Sequence, residues 1–429
     1  MNVEMDCWKV WRREIIGYAL LVLMCWAGFC KSACLHAQGG KRILLPGIET
    51  ELAKKQIAID FGDTSKALKP LLQKAFSIHG GFRLSHPKES QLSVTFSSEG
   101  GDSVRIAVRS GNAGSGAKIL TAAGDSLENA VLRGCDKLVR QTLKIPGFFA
   151  GKFSYLSNLS GHKEIYVANS VMTSSRRNTN FNKITFNASW DKNGQGLFFT
   201  SNRQLFNNIF YLDLSSRKIR TIAAYRGSNL RAVQNPKDAS LALILSSTGN
   251  PEVWIAKHPG ARPQKLTTNK SNESGPCWSS DGRRLIVTSD SRGKPQLHEV
   301  SLSTGKLTRI ATNVSSHCTE ASWNPTDPSR LSFTAAVGGG FQVFEYSFNS
   351  RKSRQLTQGN GHGLQSVWLN DGRHIVYTER SSKGSTRLMI LDTELEGAQP
   401  KSLHGSSFGN CSQASFYYPN RFVFSRPNG

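Results

Sequence analysis

A short phrase recurs down this chain at a nearly constant interval, and a repeat of that length restricts the possible folds more than any other feature. Trp190-Asp191-Lys192-Asn193-Gly194, Trp278-Ser279-Ser280-Asp281-Gly282, Trp323-Asn324-Pro325-Thr326-Asp327 and Trp368-Leu369-Asn370-Asp371-Gly372 each precede an apolar run of β character by seven or eight residues. A fifth copy, lacking the Trp, is read at Val233-Gln234-Asn235-Pro236. Starts at 190, 233, 278, 323 and 368 are 43, 45, 45 and 45 residues apart. Self-similarity at such a period marks a supersecondary unit that buries its apolar face only by stacking on its neighbours.

Each unit holds four short strands. The anchor segment leads to runs such as Leu285-Ile286-Val287-Thr288, then to a second run such as Val253-Trp254-Ile255-Ala256, then to a shorter basic run such as Lys265-Leu266-Thr267. Asp-Gly and Asn-Gly pairs suit the tight hairpins between them, because those turns need residues that accept positive φ. Four antiparallel strands repeated about an axis predict a β-propeller. Residues 148–429 number 282, which at 45 per unit is six blades. Five anchors give five whole blades, so the sixth is expected to join both ends of the region. Gln413 to Phe416 would supply its anchor strand, and either Phe422 to Phe424 or Phe153 to Leu156 the next.

Ahead of the repeats the period changes. Strands are expected at Ile57 to Phe61, Leu92 to Phe96, Val104 to Val108 and Lys118 to Leu120. Helices are expected from near Ser65, with Leu68, Leu71, Leu72, Ala75 and Phe76 on one face, and from Asp125-Ser126-Leu127-Glu128, where an acceptor cap precedes a Glu by three. Pro146-Gly147 ends the second helix. The predicted fold is therefore mostly β, a six-bladed β-propeller over 148–429 with a small N-terminal α/β domain over 38–147.

Residues 1–37 read as a secretory signal peptide, with Lys9, Arg12 and Arg13 before the apolar stretch Ile15 to Phe29 and Leu35-His36-Ala37 as a small-residue cleavage site. Export would remove four of the 54 basic and three of the 30 acidic residues, changing the net charge from +24 to +23. That charge is spread along every blade rather than gathered in a block, which argues against a nucleic-acid arm. Association with anionic envelope surfaces is the sharper reading of it, a solvated basic surface the plainer one. The four cysteines beyond residue 37 (Cys135, Cys277, Cys318 and Cys411) show no metal-ligand spacing, and their pairing stays open. No cofactor is expected.

Catalytic motifs fail on context. Gly405-Ser406-Ser407-Phe408-Gly409 matches a Gly-x-Ser-x-Gly nucleophile pattern, but the following residues contain neither Asp nor His. The segments ahead of the anchors carry no clustered carboxylates, and glycoside hydrolysis needs two positioned acids. His317 and His362 stand a few residues before anchors, where a general base or metal is conceivable and an ordinary surface role more common.

The α/β-then-propeller order, the junction Leu143-Lys144-Ile145-Pro146-Gly147-Phe148-Phe149 and the stretch Pro276-Cys277-Trp278-Ser279-Ser280-Asp281-Gly282-Arg283-Arg284-Leu285 together resemble the TolB family, the periplasmic components of Tol-Pal systems. The resemblance implies a non-enzymatic, monomeric adaptor. It implies binding of a peptidoglycan-associated, Pal-like lipoprotein over the propeller mouth, and of a TolA-like inner-membrane protein through an N-terminal arm. Carried onto this sequence, the mouth comprises Arg203, Asn229, Arg231, Asn272, Glu273, Arg292, His317, Thr319, Glu320 and His362, and the arm carries Ile43, Leu44 and Leu45. The alternative is a cell-wall-directed sugar-binding or hydrolytic propeller acting through His317, His362 or the arginine loops.

Overall fold

The computed structural model describes residues 56–110 and 116–419. The segment expected to be a signal peptide, the arm residues Ile43, Leu44 and Leu45, and the strand expected at Phe422 to Phe424 lie outside the described residues. No described helix is long and apolar enough to cross a membrane.

The N-terminal region is a five-stranded sheet with two helices. Strands β1 (Ile57–Asp60), β2 (Phe82–Leu84), β3 (Leu92–Ser98), β4 (Ser103–Ser110) and β5 (Lys118–Ala123) lie in the order β2-β1-β3-β4-β5, with β1 parallel to both neighbours. Helix α1 (Lys69–Ile78) begins later than the sequence suggests, because Pro70 supplies a fixed φ where no N–H is needed. Helix α2 (Leu127–Leu143) is capped by Ser126, whose hydroxyl accepts the Asn129 N–H, rather than by Asp125. Glu128 instead accepts hydrogen bonds from Asn169 and Ser174 in the propeller.

Six four-stranded blades follow. The innermost strands of blades 1 to 5 are Thr185–Trp190, Asn229–Gln234, Glu273–Trp278, Cys318–Trp323 and His362–Trp368. Blade 6 takes its innermost strand, Cys411–Tyr417, from the C-terminal side and its other three, Lys152–Ser157, Glu164–Asn169 and Ser175–Arg177, from the N-terminal side. The six innermost strands touch one another in ring order. Closing a ring in this way removes exposed sheet edges.

The anchor tryptophans join blades. The indole N–H of Trp190, Trp278 and Trp323 donates to the Ser415, Val233 and Cys277 carbonyls of the preceding blade at 3.1, 3.1 and 3.3 Å. Blade 2 corrects the sequence register by one residue. Gln234 pairs with Leu241 as Trp190 pairs with Leu197, so Gln234 rather than Val233 holds the Trp place. Its amide oxygen accepts the Lys192 N–H of blade 1, so a polar side chain makes the interblade link there. The turn glycines have a second duty besides positive φ. Asn235 donates to the Gly282 carbonyl and Asn324 to that of Gly372, and a Cβ on Gly372 would fall 1.8 Å from Thr326 Oγ1.

One hydrophobic core runs from α1, α2 and the sheet through Phe148, Phe149 and Phe153 into Leu369, Val376 and Leu388 of blade 5. The junction is polar at its centre. His374 donates from Nδ1 to Asp371 at 2.5 Å and accepts the Gly80 N–H on Nε2 at 2.9 Å, while Arg373 pairs with Asp392. His79 stacks on Phe148. A Cβ on Gly80 would lie 1.9 Å from Asp392 Oδ2, so only glycine allows this approach.

Candidate functional site

Each innermost strand contains one position, three residues before its anchor, whose side chain or Cα faces the central channel. The six are Asn187, Arg231, Gly275, Glu320, Gln365 and Gln413, and all line one cavity of about 530 Å³. In five of the six the backbone is left-handed, with φ between 52° and 56° at Gln413, Gln365, Gly275, Asn187 and Glu320. The adjoining ladders slip at these places, as a β-bulge does when it re-aims a side chain. Four non-glycine residues held in this conformation represent local strain that the ring as a whole must sustain.

Polar contacts link some of these positions. Gln413 Oε1 accepts the Asn187 N–H at 2.9 Å, Asn187 Nδ2 donates to the Leu230 carbonyl at 2.9 Å, and Gln365 Nε2 donates to Glu320 Oε1 at 3.0 Å. Burial raises the Glu320 carboxyl above its usual range, against the pull of Gln365 and the Arg231 charge. Burial likewise lowers Arg231, and its Nε has no hydrogen-bond partner. Among the described residues Glu320 is the only carboxylate lining the cavity, so the two positioned acids of a glycosidase are not found among them. From these six positions the cavity walls run to the turn residues Pro236, Lys237 and Pro325.

The residues singled out from sequence are dispersed. Arg231 and Glu320 reach the channel. Asn229 and Glu273 are fully buried and hold loops instead: Asn229 bonds Tyr225, Asn207 and Asn208, and Glu273 accepts from Thr267, Asn269 and Ser289. Asn272 is exposed and tied to Asp290. Thr319 is half-buried opposite Thr334. Arg292 is exposed on the blade 3 hairpin, and Arg203 lies 4.4 Å over the Phe181 ring. His317 and His362 come together around Phe341, at ring distances of 5.3 and 6.0 Å, and His362 Nδ1 accepts the Phe341 N–H.

Sequence reasoning missed the clamp that holds the mouth loops. Glu164 and Glu252 open the third strands of blades 6 and 2, Gln342 is third in that of blade 4, and Thr179, Thr267 and Thr357 follow each by fifteen residues. Each threonine hydroxyl accepts the N–H of the residue after the acid or amide: Ile165, Val253 and Val343. Thr179 and Thr357 donate back to Glu164 and Gln342, and Thr267 donates to Glu273. The recurrence of Glu or Gln with Thr at this spacing was the available signal.

A second cluster, His79, Asp371 and His374, has donor atoms within 4.8 Å of one another and lies wholly buried at the junction. Both His374 nitrogens and His79 Nδ1 already take part in hydrogen bonds, leaving His79 Nε2 alone without a partner. Burial, then the neighbouring His374, Arg373 and Lys401, hold His79 well below the ordinary imidazole range. The geometry is that of a structural joint. The Gly405 to Gly409 segment forms a 3₁₀ turn ahead of the closing strand, not a strand-turn-helix elbow.

Residues 206–318, from the outer two strands of blade 1 through blades 2 and 3, match the TolB β-propeller domain family. The Tol-Pal system protein TolB of Desulfosudis oleivorans is 26% identical over 137 residues, 32% of this chain and 31% of that protein. A TolB homolog of Chlorobium luteolum is 24% identical over 183 residues, 42% of this chain and 41% of that one. The chain thus spans well under half the length of these curated relatives. The crystal structure of TolB from Acinetobacter baumannii superposes with a TM-score of 0.72 at 17% identity, covering 85% of this chain and 96% of the other, which establishes a shared fold.

Proposed function

The chain is TolB-like, and from that premise we propose that it is a non-enzymatic periplasmic adaptor of a Tol-Pal-type envelope complex, binding a Pal-like, peptidoglycan-associated lipoprotein at the propeller mouth and supporting outer-membrane integrity and cell division. The observation that carries this reading is the channel hexad, to which the expected mouth residues Arg231 and Glu320 belong and whose cavity runs from them toward the anchor turns at the other end of the innermost strands. It offers a concave polar surface with the buried, unpartnered Nε of half-buried Arg231 beside the carboxylate of Glu320, which suits recognition of a polar protein segment and supplies no acid–base pair. Residues 1–37 act as the export signal in this reading, residues 38–147 form the α/β domain, and Ile43, Leu44 and Leu45 add as a strand to a TolA-like partner. The protein works as a monomer.

The test is titration of the processed protein, beginning at Gln38, with a purified peptidoglycan-associated lipoprotein. Arg231→Ala and the double variant His317→Ala/His362→Ala are expected to weaken binding tenfold or more, as loss of a central contact does, while thermal melts remain cooperative. Unchanged binding in both variants would remove the mouth from the reading. Release of sugar from purified wall polymer by the wild type would replace the adaptor with a hydrolytic propeller.

A further inference from the structure

The four most exposed large apolar side chains among the described residues share one rim. Leu205 is 81% exposed, Phe206 66%, Ile184 62% and Leu159 55%; Tyr225, at 39%, adjoins them. All stand on the loops of the mouth face in blades 6, 1 and 2. Hydrogen bonds tie the central three loops into one ledge. Asn202 in the Leu205–Phe206 hairpin exchanges bonds with Ile184, and Asn207 and Asn208 accept from Asn229, which in turn accepts the Tyr225 N–H.

Leu205 is costly twice over. Its φ of 80° is one that a Leu adopts only under strain and that Gly or Asn accepts freely. Its side chain gains nothing by burial in the free protein. A residue that loses on both counts points to a partner that covers it.

Charge identifies the chemistry. Loops 158–163, 179–185, 202–207 and 224–228 contain Lys163, Lys183, Arg203 and Arg226, all exposed, with no Asp or Glu. Glu164, at the edge of the first loop, is turned inward and bonded to the Thr179 hydroxyl and to the Phe181 and Asn182 N–H groups. Apolar side chains on separate loop tips, surrounded by cations, match the interface of an anionic bilayer. There the tips enter the acyl boundary and the cations meet the headgroups. We propose that this rim docks the propeller onto an anionic lipid surface.

The test is co-sedimentation of the processed protein with vesicles of phosphatidylglycerol mixed with phosphatidylcholine, and with phosphatidylcholine alone. Residues 1–37 are removed because their apolar run would bind lipid by itself. Binding is expected only with phosphatidylglycerol and should fade with salt. Phe206→Ser should weaken it about tenfold, and Lys183→Gln and Arg226→Gln about fivefold each. Leu205→Gly separates function from fold. It relieves the positive φ and is expected to raise the melting temperature while lowering vesicle binding. Equal binding to both vesicle types, or binding indifferent to Phe206→Ser and Leu205→Gly, overturns the proposal. If those variants instead abolish capture of a protein partner while no vesicle binding is seen, the rim is a protein contact and the lipid assignment fails.

Discussion

Asp136 on α2 shows how one side chain can fix the path between the two parts of the chain. Its carboxylate accepts the Phe149 and Ala150 N–H groups at 2.7 and 2.8 Å and the Tyr418 hydroxyl at 2.8 Å, so a helix, the junction and the segment after the last strand converge on it. Burial pushes its carboxyl up to about 7, against the pull of the Ala150, Tyr418 and Phe149 hydrogen bonds. An unfolded aspartate ionises near ~3.9. Between that value and about 7 the folded state therefore holds the extra proton, and this group's effect is to lower stability as pH rises, with no further change above about 7. Asp136→Asn is expected to be less stable by about 1–3 kcal/mol, because its amide turns an N–H₂ toward a backbone donor. The difference in melting temperature between wild type and variant, followed from about pH 4 to 8, should shrink as pH rises. A constant difference would mean that Asp136 does not take up a proton on folding in that range.

At the scale of elements, the blade depends on anchors that sequence displays and on clamps that it hides. The anchors were legible because Trp is a rare type with a fixed place in four of the five copies, and their spacing alone indicated the propeller. Blade 2 was misplaced by one residue because Gln234 makes through its amide a link that elsewhere comes from an indole. The hexad stayed hidden because its chemistry changes from blade to blade, from Asn187 through Arg231 to Glu320; only its distance from the anchor repeats. The short strand β2 was missed because Phe82–Leu84 offers a single buried residue and no alternation. Asn229 and Glu273 read as mouth residues because polar residues beside loops usually face solvent, yet their loops fold around them. The clamps predict a common cost. Thr267→Val and Thr357→Val each leave a buried N–H, of Val253 or Val343, without its acceptor and should destabilise by about 1–3 kcal/mol. Hydrogen exchange should quicken at that amide and in the adjoining mouth loop; protection equal to wild type would show that the clamp does not hold the loop.

The molecule as a whole is stitched at the junction, and its two parts carry separate reporters. Every Trp beyond residue 37 lies in the propeller, and both described helices lie in the α/β region. The shared core through Phe148 and Phe149 predicts coincident denaturant midpoints for tryptophan fluorescence and helical circular dichroism. Gly80→Ala, which drives a methyl group into Asp392, should move both midpoints down together. Loss of helix signal ahead of fluorescence would show two independent units. Ring closure adds a matter of timing. Three strands of blade 6 are synthesised before blades 1 to 5, and the strand that completes it, Cys411–Tyr417, after them. A chain cut short ahead of Cys411 would leave Lys152–Ser157 waiting for an inner neighbour that never arrives. The nearest supply of that strand is another full-length copy, so truncated and intact chains made side by side would be prone to strand exchange and mixed dimers.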